Sequence, residues 1–176
     1  MSKYLKLILK VVVGLALLGA LGFIAIQFVP VNMSNPPVVS EPKWDSPQTK
    51  ALAERACYDC HSNETKWTWY SKVAPVSWYV AHDVNEGRSA LNFSELGLNK
   101  GEGGEGKEGE RGEEGEAREG GEGVEVDEIT EVVSEGEMPP RQYLLMHPEA
   151  RLTDAEINAL IAGLKATFGP EGAMVK

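Results

Sequence analysis

The sequence is short of the side chains from which most metal and thiol sites are built. Its 176 residues include two cysteines and three histidines. A structural zinc site would need His82 and His147 as further ligands, because there is no second cysteine pair. A thioredoxin-like site requires surrounding strands, and no strand alternation flanks the cysteines. Basic residues are also scarce, with 17 Lys and Arg against 27 Asp and Glu and a formal charge of −10, which argues against nucleic acid as a partner.

Both cysteines fall in one pentapeptide, Cys57-Tyr58-Asp59-Cys60-His61. The CxxCH pattern is the attachment signature of a c-type haem. Residues three apart share one face of a helical turn, so the two thiols can meet the two vinyl groups at one edge of a porphyrin. The motif therefore predicts one covalent haem c, attached through Cys57 and Cys60, with His61 as an axial ligand of the iron.

Charged residues are absent between Lys10 and Glu41. We interpret residues 1–10 as a basic cytoplasmic tail and residues 11–29 as a transmembrane anchor, because this apolar run forms a helix about 29 Å long and a bilayer core is about 30 Å thick. Basic residues before the run, with none soon after it, predict that the following domain lies on the periplasmic side of the inner membrane. A cleaved signal peptide is the alternative, although Ala20-Leu21-Gly22 is a poor cleavage site.

Composition divides the rest of the chain into further segments. The first is rich in Pro, Val, Asn and Ser, and we expect an extended linker that holds the domain off the bilayer. A later tract is almost entirely Gly and Glu, which maximises chain entropy and offers no apolar surface, so we expect it to be disordered. The predicted segments are the linker 30–44, a first domain half 45–98, the Gly/Glu insertion 99–124, a second domain half 125–170 and a tail 171–176.

The first half of the domain shows helical patterns. Ser46 and Pro47 suit the start of a helix that leads into the haem motif. A second helix is expected from about Pro75 to Glu86, and Gly87 is expected to end it. Aromatic side chains are dense from Lys66 to Val80 and are suited to wall a haem pocket: Trp67, Trp69, Tyr70, Trp78 and Tyr79.

The second half also predicts helices. A short amphipathic helix around Ile129 should end at Gly136. Thr153 and Glu156 form a capping box that opens a closing helix, which should end at Gly169-Pro170. The apolar stripe of that helix consists of Ile157, Leu160, Ile161, Leu164 and Phe168. The fold class is therefore all-α.

Met138 is the predicted sixth ligand of the iron. Pro139 and Pro140 follow it and deny the backbone a helix, which holds the side chain in one place. A thioether is a soft, neutral donor that favours Fe(II). Two alternatives remain open: Met138 fills a gap in the core, or His82, one turn beyond Trp78 on the same helix face, is the ligand instead.

The order of these parts resembles a class I cytochrome c and, more closely, a family of membrane-anchored bacterial haem-binding domain proteins. The matching stretches are Cys57 to Asn63, Trp67 to Tyr70, Val73 to Trp78, Gly87-Arg88, Leu91 to Ser94, Gly136 to Pro140, Tyr143 and His147 to Leu152. The resemblance implies a small cytochrome c-like helical domain around one covalent haem, with His61 and Met138 as axial ligands. Leu96 and Thr68 depart from it, since the family more often has Trp and Pro there.

The expected function is that of a membrane-anchored, periplasmic mono-haem c-type cytochrome that transfers single electrons between redox partners. Two axial ligands fix the iron geometry in both oxidation states, so little reorganisation accompanies transfer. The sequence shows no nucleophile paired with a base that would indicate substrate chemistry, so we do not expect an enzyme. The alternative is a haem-based sensor or peroxidase-like protein in which the sixth iron position is open. The expected partners are the membrane and redox proteins of unknown identity.

Overall fold

The computed structural model describes residues 2–96 and 126–169. Within these ranges the chain is helical and contains no strand, which confirms the all-α prediction. The helices are α1 (Lys3–Ile26), α2 (Pro47–Ala56), α3 (Tyr58–His61), α4 (Val76–Ala90), α5 (Val126–Ser134), α6 (Arg141–Met146) and α7 (Asp154–Phe168), with 3-10 turns at Tyr70–Lys72 and Pro148–Ala150. The predicted Gly/Glu insertion 99–124 and the tail 171–176 lie outside the described residues.

α1 is long and apolar enough to cross a membrane. It has 24 residues, and its mean hydropathy reaches 2.5. None of its residues is buried. Ser2 caps its start, since the hydroxyl oxygen accepts a hydrogen bond from the N–H of Leu5 at 3.3 Å. The helix is consistent with a membrane anchor, and a signal sequence near the amino terminus has the same properties.

The linker 30–44 follows an extended path, as predicted, but it is bound to the domain. The N–H groups of Val39 and Ser40 donate to the Ser94 carbonyl at 2.9 and 3.0 Å. Asn63 Nδ2 donates to the Pro37 carbonyl at 2.9 Å. These bonds attach residues 30–44 to the domain, and we call these residues the strap.

The core of the domain lies where α7 packs against α2 and α5. It is built from Leu52, Ala53, Tyr58, Phe93, Val133, Leu160 and Leu164. Phe93 stacks between Tyr58 and Phe168, with ring centroids 5.5 and 6.3 Å apart. Gly163 allows α7 to approach α2 closely, because a Cβ there would overlap the side chain of Thr49.

Local signals in the sequence fix several helix ends. The hydroxyl of Ser46 accepts from the N–H of Thr49 at 3.2 Å and caps α2. The predicted capping box of Thr153 and Glu156 opens α7. Gly136 follows α5 with a φ of +73°, a conformation that glycine adopts without strain. These three predictions are confirmed.

Candidate haem site

Cys57, Cys60 and His61 lie at the junction of α2 and α3. Cys57 follows the last residue of α2, and α3 is a single turn. The N–H groups of Cys60 and His61 both donate to the Cys57 carbonyl, at 3.1 and 2.9 Å. The motif therefore has the helical turn on which its spacing depends for attaching one porphyrin edge.

Burial raises the pKa values of both thiols. Both are half-buried. Burial, with a smaller effect of the neighbouring Cys60, raises the pKa of Cys57 to about 12. Burial, followed by the charge of Asp59, raises the pKa of Cys60 to about 11. The free thiols are therefore protonated near neutral pH, whereas thioredoxin-like sites depend on thiols of lowered pKa.

The His61 ring is held in the orientation that a metal ligand needs. Its Nδ1 lies 3.1 Å from the carbonyl oxygen of Leu91. A carbonyl accepts only from a protonated nitrogen, so Nδ1 carries the hydrogen and Nε2 keeps its lone pair. Burial lowers the pKa of His61, which favours the neutral ring.

The backbone of Gly87 also lies within hydrogen-bonding range of the His61 ring and raises its pKa, an effect smaller than that of burial. Metal-binding histidines in general donate their other ring nitrogen to a carbonyl or carboxylate, which fixes the tautomer and raises the basicity of the ligand. His61 shows this arrangement with the backbone of Leu91. The donor set of one neutral imidazole and two adjacent thiols therefore fits a covalently attached haem.

The segment after α4 supplies the partner of His61. The N–H of Phe93 donates to the His61 carbonyl at 2.8 Å. The N–H of Asn63 donates to the hydroxyl of Ser94 at 2.9 Å. The motif and the segment from Leu91 to Ser94 are thus joined by side-chain and backbone bonds close to His61 along the chain.

Gly87 has a role that the sequence analysis missed. α4 runs from Val76 to Ala90 and does not end at Glu86, so the prediction that Gly87 terminates this helix is wrong. A Cβ at Gly87 would lie 2.5 Å from the carbonyl oxygen of Cys60. The glycine is therefore needed for the close contact between α4 and the haem motif.

Arg88 joins the haem motif to the strap. Its guanidinium makes four hydrogen bonds between 2.8 and 3.0 Å, to the Ser62 carbonyl, the Thr65 hydroxyl, the Ser34 carbonyl and the Asn35 side-chain oxygen. Two of these partners follow the haem motif and two belong to the strap. No spacing in the sequence predicts this role, because all four partners are far from Arg88 along the chain.

Met138 follows α5 in a well-defined turn. The N–H of Gly136 donates to the Val133 carbonyl at 3.3 Å, and that of Glu137 donates to the Val132 carbonyl at 3.0 Å. This pair of bonds is the Schellman pattern of helix ends. The Met138 side chain is 38 % exposed, so it does not fill a gap in the core.

α6 links the Met138 segment to the haem motif. This short helix starts at Arg141, directly after the prolines, and was not predicted. The hydroxyl of Tyr143 donates to Asp59 Oδ2 at 2.8 Å. Burial, and then the bond to Asp59, raises the pKa of Tyr143, so the phenol remains a donor. Asp59 lies between the two cysteines, and this bond brings the second domain half against the first.

The other two histidines have protein partners. His147 stacks on Tyr143 with ring centroids 4.2 Å apart. Its Nε2 bonds the hydroxyl of Tyr70, and its Nδ1 lies 3.0 Å from Glu149. His82 is exposed on α4, with Nε2 3.2 Å from a carboxylate oxygen of Glu86. Neither histidine joins the cysteines in a group of three or more metal-binding side chains within the described ranges.

The aromatic side chains that were expected to wall the haem go to different places. Trp67 Nε1 donates to Asn35 of the strap at 2.9 Å, and Tyr70 contacts His147. Trp69 and Tyr79 are 73 % and 72 % exposed. These contacts and exposures do not test the expected haem wall, which stays a prediction.

Comparison with known proteins supports the cofactor. The family described as Haem-binding domain matches residues 21–166. No match was found among the curated proteins or the solved structures compared. The matched range begins within α1, includes the strap and both domain halves, and ends in α7. The chain therefore belongs to the haem-binding domain family and is a haem-binding protein.

Proposed function

We propose that the protein is a membrane-anchored, periplasm-facing mono-haem c-type cytochrome that passes single electrons between redox partners and has no enzymatic activity of its own. The main observation in favour is the ring of His61, the residue after Cys60, whose Nδ1 bond to the Leu91 carbonyl assigns the lone pair to Nε2. The haem supplies an Fe(III)/Fe(II) couple, and the protein supplies its attachment and its electrostatic surroundings.

Met138 is the proposed sixth ligand. Its side chain is exposed, and the Schellman turn on one side and two prolines on the other restrict its backbone. The bond between Tyr143 and Asp59 draws the same segment towards the motif. A filled sixth position favours electron transfer over reactions in which a substrate binds the iron.

We propose that α1 is retained as the anchor. Gln27, the clearly polar residue of the predicted span, pairs with the backbone of Ala74 through both ends of its carboxamide. Nε2 donates to the Ala74 carbonyl at 3.2 Å, and Oε1 accepts from the Ala74 N–H at 2.9 Å. This contact fixes the end of α1 to the folded domain, which supports an anchor over a discarded signal peptide.

The attachment is tested by expressing the full chain in a host with c-type maturation machinery. After denaturation, the wild-type polypeptide should be heavier by one haem, and a variant combining Cys57→Ser with Cys60→Ser should lose all covalent pigment. The intact mass of the same sample also reports whether residues 1–26 are retained. Colourless wild-type protein of unmodified mass would contradict the proposal.

A haem-based sensor or peroxidase-like protein is the second candidate. The 38 % exposure of Met138 is the observation that favours it, because a side chain this open can leave the sixth position to another ligand. In that case carbon monoxide would bind the ferrous protein readily, and cyanide would bind the ferric protein. Slow or absent binding of both ligands would support the electron carrier.

A further inference from the structure

Residues 65–82 differ from the rest of this acidic protein, and we call them the aromatic segment. They contain no Asp or Glu, although the whole chain has a formal charge of −10. Lys66 and Lys72 are their charged residues. Three of the four tryptophans of the chain lie here, together with two tyrosines: Trp67, Trp69, Tyr70, Trp78 and Tyr79.

The aromatic segment touches the end of the membrane helix. Gln27 directly follows α1 and bonds both backbone groups of Ala74, at 2.9 and 3.2 Å. Lys72, which is exposed, lines a cavity beside Gln27 and Met33. With α1 in the bilayer, Ala74 therefore lies at the boundary between hydrocarbon and lipid headgroups.

α4 begins two residues after Ala74, close to this boundary, and its first turns expose apolar side chains. Pro75, Trp78, Tyr79 and His82 line an open apolar concavity, and Val76 is 45 % exposed. At about 1.5 Å per residue, Tyr79 lies within about 8 Å of Ala74 along the helix. The headgroup zone is about 5–7 Å thick on each side of a bilayer, so these side chains can reach it.

We propose that Trp69, Trp78 and Tyr79 lie in the headgroup region of the outward-facing leaflet, with the Lys72 ammonium near lipid phosphates. Trp and Tyr are enriched at this depth because their rings combine an apolar body with a polar group. The segment itself contains no acidic residue that anionic lipids would repel, and the neighbouring Glu86 carboxylate pairs with His82. This proposal rests on the proposed function, in which α1 is retained as an anchor. The retained anchor determines which surface of the domain faces the bilayer.

Photo-crosslinking of the full-length holoprotein tests the lipid contact. The protein is placed in nanodiscs of phosphatidylethanolamine and phosphatidylglycerol, with p-benzoylphenylalanine at position 79 or, in a second variant, at position 69. The control position is Asn158, which is exposed on α7, a helix that packs on α2 and α5. We expect roughly tenfold more lipid adduct from positions 79 and 69 than from position 158, because only the first two are at headgroup depth.

The Gln27 contact is tested in the same nanodiscs. Gln27→Leu keeps the size and removes both hydrogen bonds to Ala74, so the yield of lipid adduct from position 79 should fall several-fold. Phe28→Leu is the matched control, since Phe28 is exposed and next to Gln27, and it should leave the yield unchanged. An unchanged yield in Gln27→Leu would show that Gln27 does not orient the domain and would overturn this part of the proposal.

The remaining outcomes separate the two proposals. Equal lipid adducts at positions 79, 69 and 158 overturn the lipid-facing surface, as do adducts to haem or to a second copy of the chain at position 79. A full-length intact mass without lipid adducts overturns this surface and leaves the anchor standing. A shortened chain overturns the retained anchor as well as the surface.

Discussion

The two proposed iron ligands lie in regions that are built differently. His61 is surrounded by contacts from elsewhere in the chain: Leu91 bonds its ring, Phe93 bonds its backbone, and Gly87 packs against the preceding Cys60. Met138 bonds only the helix it follows, through its N–H and the Val132 carbonyl at 3.3 Å, within the described residues.

This difference shows which of the two proposed ligands the protein fold itself holds in a fixed orientation. The His61 side has one tautomer and one orientation fixed by the fold, whereas the Met138 side depends on a turn, two prolines and the bond from Tyr143 to Asp59. Changes near His61 should therefore affect stability and haem attachment together. Changes near Met138 should alter the iron and leave the fold largely intact.

The largest expected effect is that of Met138→Ala on the iron. Loss of a thioether ligand should convert a low-spin haem to high-spin and lower the reduction potential by on the order of 0.2 V. Visible spectra of both oxidation states and a redox titration measure the change. Met146→Ala is the matched control, because Met146 is an exposed methionine on the nearby α6, and its spectra should be those of the wild type. An unchanged low-spin spectrum in Met138→Ala would indicate His82 as the ligand.

Gly87→Ala should damage the His61 side directly. The new Cβ would lie 2.5 Å from the Cys60 carbonyl oxygen, and relieving such an overlap costs about 1–3 kcal/mol of unfolding free energy. We expect less covalent haem per polypeptide and a lower denaturant midpoint.

Gly163→Ala gives the comparison for that variant. Its Cβ would overlap Thr49 in the contact of α7 with α2, so stability should also fall, but the haem spectrum of the folded protein should not change. Equal haem yield in Gly87→Ala and wild type would refute the role assigned to Gly87.

Tyr143→Phe should loosen the link between the two regions. The variant loses the 2.8 Å bond to Asp59, which should lower the unfolding free energy by about 1–2 kcal/mol, and the Met138 segment should bind iron less completely. Denaturant titration and the low-spin fraction measure the two effects. Tyr79→Phe is the control, because Tyr79 is exposed, and a low-spin fraction that stays at the wild-type value in Tyr143→Phe would argue against this link.

The smallest expected effect concerns stability at acid pH and the carboxylate of Glu156 at the start of α7. Bonds from the Thr153 N–H, from Arg55 and from the Thr153 hydroxyl lower the pKa of Glu156 from 4.5 to about 2. The folded state therefore favours the ionised carboxylate, and its contribution to stability is complete above the ordinary pKa and is lost as the pH falls from 4.5 towards 2. Glu156→Gln should flatten the fall of the denaturant midpoint below about pH 5, whereas an identical acid slope in both proteins would contradict this assignment.

Much of this fold can be predicted because the signals are local. The cap of α2 at Ser46, the capping box of Thr153 with Glu156 and the end of α5 at Gly136 each depend on residues within one turn of one another. The CxxCH motif is local in the same sense. Such patterns are read without knowledge of the rest of the chain.

The missed features are long-range contacts. Leu91 supplies its carbonyl to His61 from thirty positions away, and any residue could provide the same backbone group there. The sequence around Gly87 favours a helix end as much as a close contact with Cys60. The partners of Arg88 in the strap become identifiable only once the strap is seen to run along the domain.

If the protein carries electrons as proposed, the bound strap also limits where they can be delivered. A flexible linker of the same fifteen residues would reach about 50 Å. The haem domain could then move between distant electron donors and acceptors. Hydrogen bonds to Ser94, Asn63 and Arg88 hold the strap along the domain, so the proposed electron carrier would keep its haem at one height above the bilayer. Under the proposed function, redox partners would therefore have to reach the haem by lateral diffusion in the same membrane or from the surrounding solution.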